Sequence, residues 1–302
     1  MTIMQENGFC APEDLTDAIT EFVVRKSGID DHSVRAVVEG VIDAAGDGAV
    51  ARLRTHLARE ADSWSYYPAD ALARTVHHQL AGLVLQEPPV INGAERLASV
   101  HRHPLIIVAN HLSYSDANVI DVLLHRCGHE EIARRLAVIA GPKVYSDITR
   151  RFSSLCFGTI KSPQNESVAS GEALMTSRQV ALAARQTLAA AHARLAAGDA
   201  LLIFPEGTRS RGGGMQAFLP GVARYFVANE TIVVPIGLCG TENLFAIGEE
   251  RLGSGGITMN IGPSVTVAAL RAGAAQHRRG FIDAIGEAVA QQLPTRYRGV
   301  YA

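Results

Sequence analysis

From Pro88 onward the chain alternates short apolar runs with longer helix-patterned segments, and few folds accept that alternation. The runs are Val90 to Asn92, Leu105 to Ala109, Leu136 to Ala140, Cys156 to Ile160, Ala200 to Phe204, Ile232 to Leu238 and Ile257 to Ile261. Several are apolar almost throughout, which suits strands covered on both faces. Helices fit near Ala117 to Cys127, Lys143 to Ser153, Gly171 to Ala197, Pro220 to Ala228 and Arg271 to Gln292. The pattern predicts an α/β fold, with a largely parallel mixed sheet flanked by helices. Covering such a sheet takes a sizeable core, and a chain of 302 residues with 47% hydrophobic and 19% charged residues can supply one.

Before Pro88 the period is helical. Leu15, Ala18, Ile19, Phe22 and Val23 recur at helical spacing, as do Val34, Val37, Val38, Val41 and Ile42, followed by Val50, Leu53 and Leu57. Gly28, Gly46 and Gly48 punctuate the runs, Asp31 and Asp70 are candidate caps, and a fourth helix fits Asp70 to Leu85. Residues 1–87 are therefore expected to form a small N-terminal helical bundle, and residues 88–302 an α/β domain. Between the third and fourth helices lies the densest aromatic cluster, Trp64-Ser65-Tyr66-Tyr67-Pro68. Packing between bundle and domain is the expected use of these rings, with a membrane or carrier-protein contact as the alternative.

Two polar clusters interrupt the apolar pattern, each just beyond a predicted strand, where ligands gather in parallel sheets. The first is Asn110-His111-Leu112-Ser113-Tyr114-Ser115-Asp116. In a continuous helix an offset of five residues leaves two side chains roughly 140° apart, so His111 and Asp116 meet only if a strand-to-helix turn folds the aspartate back. A carboxylate accepting from one ring nitrogen fixes the tautomer and leaves the other free to take a proton from a hydroxyl. Alone, Asp116 would read as a helix N-cap and His111 as a strand-end residue. The second cluster, Phe204-Pro205-Glu206-Gly207-Thr208-Arg209-Ser210-Arg211, raises the stakes. Arginines two apart in an extended loop can point the same way, and a guanidinium fork matches phosphate. Gly207 lets the backbone approach a ligand, and Gly212-Gly213-Gly214 loosens the loop that follows.

Asn110 to Asp116 resembles the N-H-x-x-x-x-D block of the glycerol-phosphate and lysophosphatidate acyltransferase superfamily, and Phe204 to Arg211 resembles its F-P-E-G-T-R-S block. Between them, Ile139 to Lys143 and Leu155 to Lys161 are similar to the middle block of the soluble plastid-type glycerol-3-phosphate acyltransferases, whose helical bundle also precedes the catalytic domain. Ile232 to Gly237 suggests a fourth block, so the likeness spans roughly residues 88 to 265. It implies acyl transfer from an acyl-carrier protein or acyl-coenzyme A thioester to a hydroxyl of glycerol 3-phosphate or its monoacyl derivative. No other cofactor is implied. His111 would be the general base and Asp116 its support, with Lys161, Arg209 and Arg211 as phosphate ligands. Glu206, Gly207 and Thr208 would shape the acceptor pocket, Glu206 by bonding a hydroxyl or pairing with an arginine. Many members carry arginine near the position of Lys161. Backbone N–H groups near the turn are the expected oxyanion donors.

Other chemistries find less support. There is no G-x-S-x-G elbow, phosphate loop, dinucleotide fingerprint or H-E-x-x-H, and Gly253-Ser254-Gly255-Gly256 precedes a strand, as a connecting loop would. His77-His78 and His101-x-His103 lack carboxylates or cysteines at ligand spacing, so they are expected to be exposed and no metal is assigned. Cys10, Cys127, Cys156 and Cys239 are widely spaced, as reduced structural cysteines are. A net charge of −2 argues against nucleic-acid binding. With no signal-like start and no apolar segment near twenty residues, the expected location is the cytoplasm, with contact to the inner face of the membrane from one side if the substrate is a lipid. Four rivals remain open: acyl transfer to another hydroxyl acceptor, an acyl-enzyme on Ser113 or Ser115, a thioester hydrolase using water as acceptor, and a non-catalytic lipid- or carrier-binding module.

Overall fold

The computed structural model describes residues 15–58, 66–85, 87–100, 102–141, 144, 148–163, 176–244, 253, 255–276 and 280–302. Four helices open it: α1 (Leu15–Ser27), α2 (Asp31–Ala45), α3 (Asp47–Ala58) and α4 (Ala71–Val84). Their apolar stripes close on one another as a core of Leu15, Ile19, Val34, Val38, Leu53, Leu57, Val76 and Leu80. Asp70 caps α4 through the N–H groups of Leu72 and Ala73, as expected. The cap of α2 is Asp30, which accepts from Ser33 N at 2.8 Å, and not Asp31, which is already helical. Of two adjacent aspartates, only the first has the extended backbone that lets a side chain reach forward to the open N–H groups.

The remaining chain builds a mixed sheet of nine strands flanked by helices. In chain order the strands are β1 (Tyr66–Tyr67), β2 (Val90–Asn92), β3 (Leu105–Ala109), β4 (Leu136–Ala140), β5 (Gly158–Lys161), β6 (Ala200–Ile203), β7 (Ile232–Cys239), β8 (Thr258–Ile261) and β9 (Val265–Thr266). Their order is β1-β5-β4-β6-β3-β7-β8-β2, with β9 beside β7. From β5 to β7 every pairing is parallel; β1, β8 and β9 join antiparallel. The central strands are buried on both sides, as their unbroken apolar runs require. Leu105, Ile107 and Ala109 face a core shared with α5 (Asp116–Arg126) and α6 (Glu130–Arg134). Ile106 and Val108 face the opposite core. Three further helices precede the C-terminal segment: α7 (Ile148–Ser154), α8 (Ser177–Ala196) and α9 (Val267–Gln276). α10 (Phe281–Ala290) and α11 (Thr295–Arg298) follow.

Several expectations change. The run from Cys156 enters the sheet only at Gly158, because Leu155 and Cys156 still make turn hydrogen bonds back to α7. Pro220 to Tyr225 is a 3-10 turn and not an α-helix. The single helix expected over Arg271 to Gln292 is two, the second capped by Gly280 in an extended conformation. α8 starts at Ser177, where Thr176 and Gln179 form a capping box; residues 171–175, 143 and 145–147 of the expected helices lie outside the described residues.

The aromatic cluster has a use that helical patterning did not suggest. Tyr66 and Tyr67 are an edge strand, pairing with Ile160 and Thr159, and the Tyr66 ring occupies the space a side chain at Gly158 would need. Trp64 lies outside the described residues. Nor is the histidine pair on α4 exposed. His78 Nε2 lies 2.6 Å from Asp121 Oδ2, and His77 is held near pKa 4 by burial, so both sit in the seam between α4 and α5. Cys127, Cys156 and Cys239 are free thiols, and no described helix is long and apolar enough to cross a membrane.

Candidate active site

β3 stops at Ala109, and its last pairing with β7 is continued by a side chain. Asn110 donates to Leu238 O at 3.0 Å and accepts from Leu238 N at 2.7 Å, so its amide replaces one more rung of the ladder. The main chain is thereby released from the sheet, and His111 begins the turn that leads to α5. Asp116 is the first residue of that helix, fully buried, where the positive helix terminus favours its charge.

The turn does what the five-residue offset demanded. Asp116 Oδ2 is 2.8 Å from His111 Nδ1, and it also accepts from the backbone N–H groups of Leu112 at 2.7 Å and Ser113 at 2.9 Å. A carboxylate oxygen so placed can only accept, so Nδ1 is the ring nitrogen that donates, and in the neutral imidazole the lone pair is then on Nε2. Nε2 makes no hydrogen bond among the described residues, and the side chain is 19% exposed. Phe204 stacks on the ring at 4.5 Å between centroids and 24° between planes, which fixes its tilt. Ser113 is fully buried, with its Oγ accepting from Ser115 N at 3.3 Å.

The second cluster closes onto this turn through backbone bonds. Glu206 Oε1 accepts from His111 N at 2.7 Å, while Oε2 accepts from Gln216 N at 2.8 Å. Ser210 N donates to His111 O at 2.8 Å. Both polar groups of the His111 backbone are thus held by the loop after β6. Burial pushes the Glu206 carboxyl up from its ordinary range, and the two N–H donors oppose that rise. Gly207 turns the loop at φ +70°, beside Leu219. Of the turn's amides, those of His111, Leu112, Ser113, Ser115 and Asp116 have partners within the protein.

The predicted cations divide. Arg209 lies with its Cζ 3.7 Å above the Tyr114 ring, on the His111–Asp116 turn itself. Thr208 and Arg211 are exposed on the same loop. Lys161 ends β5, level with Ala140 of β4 on the same carboxyl edge, but β5 is three strands from β3, a span of roughly 14 Å. Its side chain is 2% exposed, with Nζ 5.1 Å from the Tyr67 ring. Tyr114, Ser210, Gln216 and the stacking role of Phe204 were not singled out from sequence, since each acts through a contact that spacing does not encode. Among the described residues no group of histidines, cysteines and carboxylates is placed to hold a metal.

A model of the acyltransferase family matches residues 89–239, which run from the strand before β3 to the end of β7 and so take in both loops. The chain belongs to that family. No curated protein matches it. Among solved structures, this acyltransferase-family chain is similar to the 1-acyl-sn-glycerophosphate (LPA) acyltransferase PlsC from Thermotoga maritima, at 18% identity and a TM-score of 0.49, over 83% of this chain and 85% of that one.

Proposed function

We propose that this protein moves a fatty acyl group from an acyl-carrier-protein or acyl-coenzyme A thioester to a hydroxyl of glycerol 3-phosphate or 1-acylglycerol 3-phosphate. The observation that carries the reading is the pairing of His111 Nδ1 with the buried Asp116, which puts the lone pair of the neutral imidazole on the open Nε2, on the same turn that holds the Arg209 guanidinium. Nε2 takes the proton of the acceptor hydroxyl as its oxygen attacks the thioester carbonyl carbon. Asp116 supports the imidazolium that forms. When the carbon–sulfur bond breaks, the departing thiolate takes that proton and leaves as the free thiol. Nothing is consumed besides donor and acceptor, so no cofactor enters the scheme.

Arg209 is the proposed ligand of the acceptor's phosphate, with Arg211 and Thr208 beside it on the exposed part of the loop. Lys161, which the resemblance offers as a third phosphate ligand, is buried three strands from β3 and is left out of this phosphate site. Glu206 acts by position: its two backbone bonds hold the loop after β6 against the catalytic turn. A direct transfer is favoured over an acyl-enzyme because Ser113 is buried and its oxygen already accepts a backbone hydrogen bond. The reaction belongs on the cytoplasmic face of a membrane, which the protein would meet from one side.

The test is a panel of purified acceptors against one long-chain thioester donor, following thiol release. Glycerol 3-phosphate or its monoacyl derivative should give the highest specificity constant, with carrier-protein and coenzyme A donors compared in parallel. Release of free fatty acid at a rate indifferent to every acceptor would replace transfer by hydrolysis.

A further inference from the structure

Phosphate-binding arginines usually stand beside carboxylates that hold them in place, and the carboxylate then competes with the incoming anion. Arg209 is held differently. Among the described residues it makes no ion pair; its guanidinium Cζ stands 3.7 Å from the centre of the Tyr114 ring. A ring face attracts the cation through its quadrupole without occupying the N–H donors at the guanidinium edge, and without cancelling the positive charge. Tyr114 itself is fixed at its root, because it sits between Ser113, whose N–H is bound by Asp116, and Ser115, whose N–H is bound by Ser113 Oγ. Its ring is 38% exposed at the rim of the site. A second guanidinium, from Arg150 on α7, has its Cζ 5.5 Å from the same ring. The two guanidinium carbons therefore lie within about 10 Å of each other, with the Tyr114 ring in reach of both.

We propose that Tyr114 is the positioning residue of the acceptor site: its ring orients Arg209 toward the phosphate of the acceptor and ties that cation to the turn carrying His111 and Asp116. The proposal rests on the reading of Arg209 as a phosphate ligand. It predicts that ring loss weakens recognition of phosphorylated acceptors and leaves the proton-transfer chemistry in place.

The experiment uses the full chain, a long-chain acyl thioester, and two acceptors, 1-acylglycerol 3-phosphate and the corresponding monoacylglycerol. Tyr114→Ala should raise KM for the phosphorylated acceptor about tenfold with kcat changed less than about twofold, equivalent to ~1.4 kcal/mol of binding. Monoacylglycerol kinetics should not change, and Tyr114→Phe, which keeps the ring, should restore KM. In an Arg209→Ala background, adding Tyr114→Ala should raise KM less than about twofold further. Equal effects on both acceptors, or independent, multiplying effects of the two substitutions, would overturn the positioning role. An Arg209→Ala variant with unchanged KM for the phosphorylated acceptor would overturn the phosphate reading itself, and the role of Tyr114 with it.

Discussion

At the scale of single residues, the site depends on two conformations that substitutions can test separately. In the proposed reaction His111 is the general base, so His111→Ala should keep acceptor binding while turnover falls by about 10²- to 10⁴-fold. Steady-state thiol release, with circular dichroism to show that the variant folds, checks this; near-normal turnover would remove His111 from the chemistry. Gly207 supplies a backbone shape. At φ +70° an alanine pays roughly 1–2 kcal/mol, and its methyl would meet Leu219 Cδ1 at 2.5 Å. Gly207→Ala should therefore displace the loop bearing Glu206 and Arg209 and raise acceptor KM. Because the dihedral strain persists, Leu219→Ala should recover only part of the loss; full recovery would show that the clash alone mattered. The reactive pair was legible in sequence because a strand end and a helix start bracket it. Tyr114 was not, because a cation–π contact to Arg209 joins residues far apart in the chain, and no periodicity connects them.

At the scale of elements, what could be read from sequence was whatever depends on local pattern. The parallel centre, β3 to β7, showed itself through apolar runs too uniform for a one-sided sheet. Two-residue edge strands such as β1 and β9 are too short to carry a period, and their existence depends on a neighbour's free edge. Helix ends depended on caps, and here α4 offers a test. Asp70 is 4% exposed, accepts from Leu72 N at 2.9 Å and Ala73 N at 3.0 Å, and meets His56 Nδ1 of α3 at 2.8 Å. Its removal takes away a cap and leaves buried donors unpaired. Asp70→Ala should cost about 2 kcal/mol, read as a lower urea midpoint at unchanged slope, and Asp70→Asn, a good cap without the charge, should cost less. Equal losses would mean that the pairing with His56, not the cap, carries the effect.

At the scale of the whole molecule, bundle and sheet are joined by more than the chain between them. Phe152 and Leu155, from the end of α7, are buried in the core of the four helices, and β1, which follows α3, is hydrogen-bonded to the sheet edge. Across the α4–α5 seam, buried Asp121 is paired with Arg74 at 2.5 Å and His78 at 2.6 Å, five residues along the helix that Asp116 begins. The His111–Asp116 turn is thus anchored by a helix whose buried charge is satisfied from the bundle, since a carboxylate there without partners would be strongly destabilising. His77 makes this seam sensitive to acid. Burial holds its pKa near 4, with smaller contributions from His78 and Arg74 in the same direction, against an opposing pull from Asp121. Unfolded, it would titrate near 6.5. Between those values the unfolded chain binds the extra proton, so stability is full above pH 6.5 and falls as pH drops toward 4, by up to about 3 kcal/mol from this residue. Below pH 4 its contribution stops changing. Carboxylates add their own acid dependence, so the contrast to measure is the unfolding free energy of the natural protein against His77→Leu from pH 7 to 4. The variant should show the shallower decline, and parallel curves would place the titrating group elsewhere.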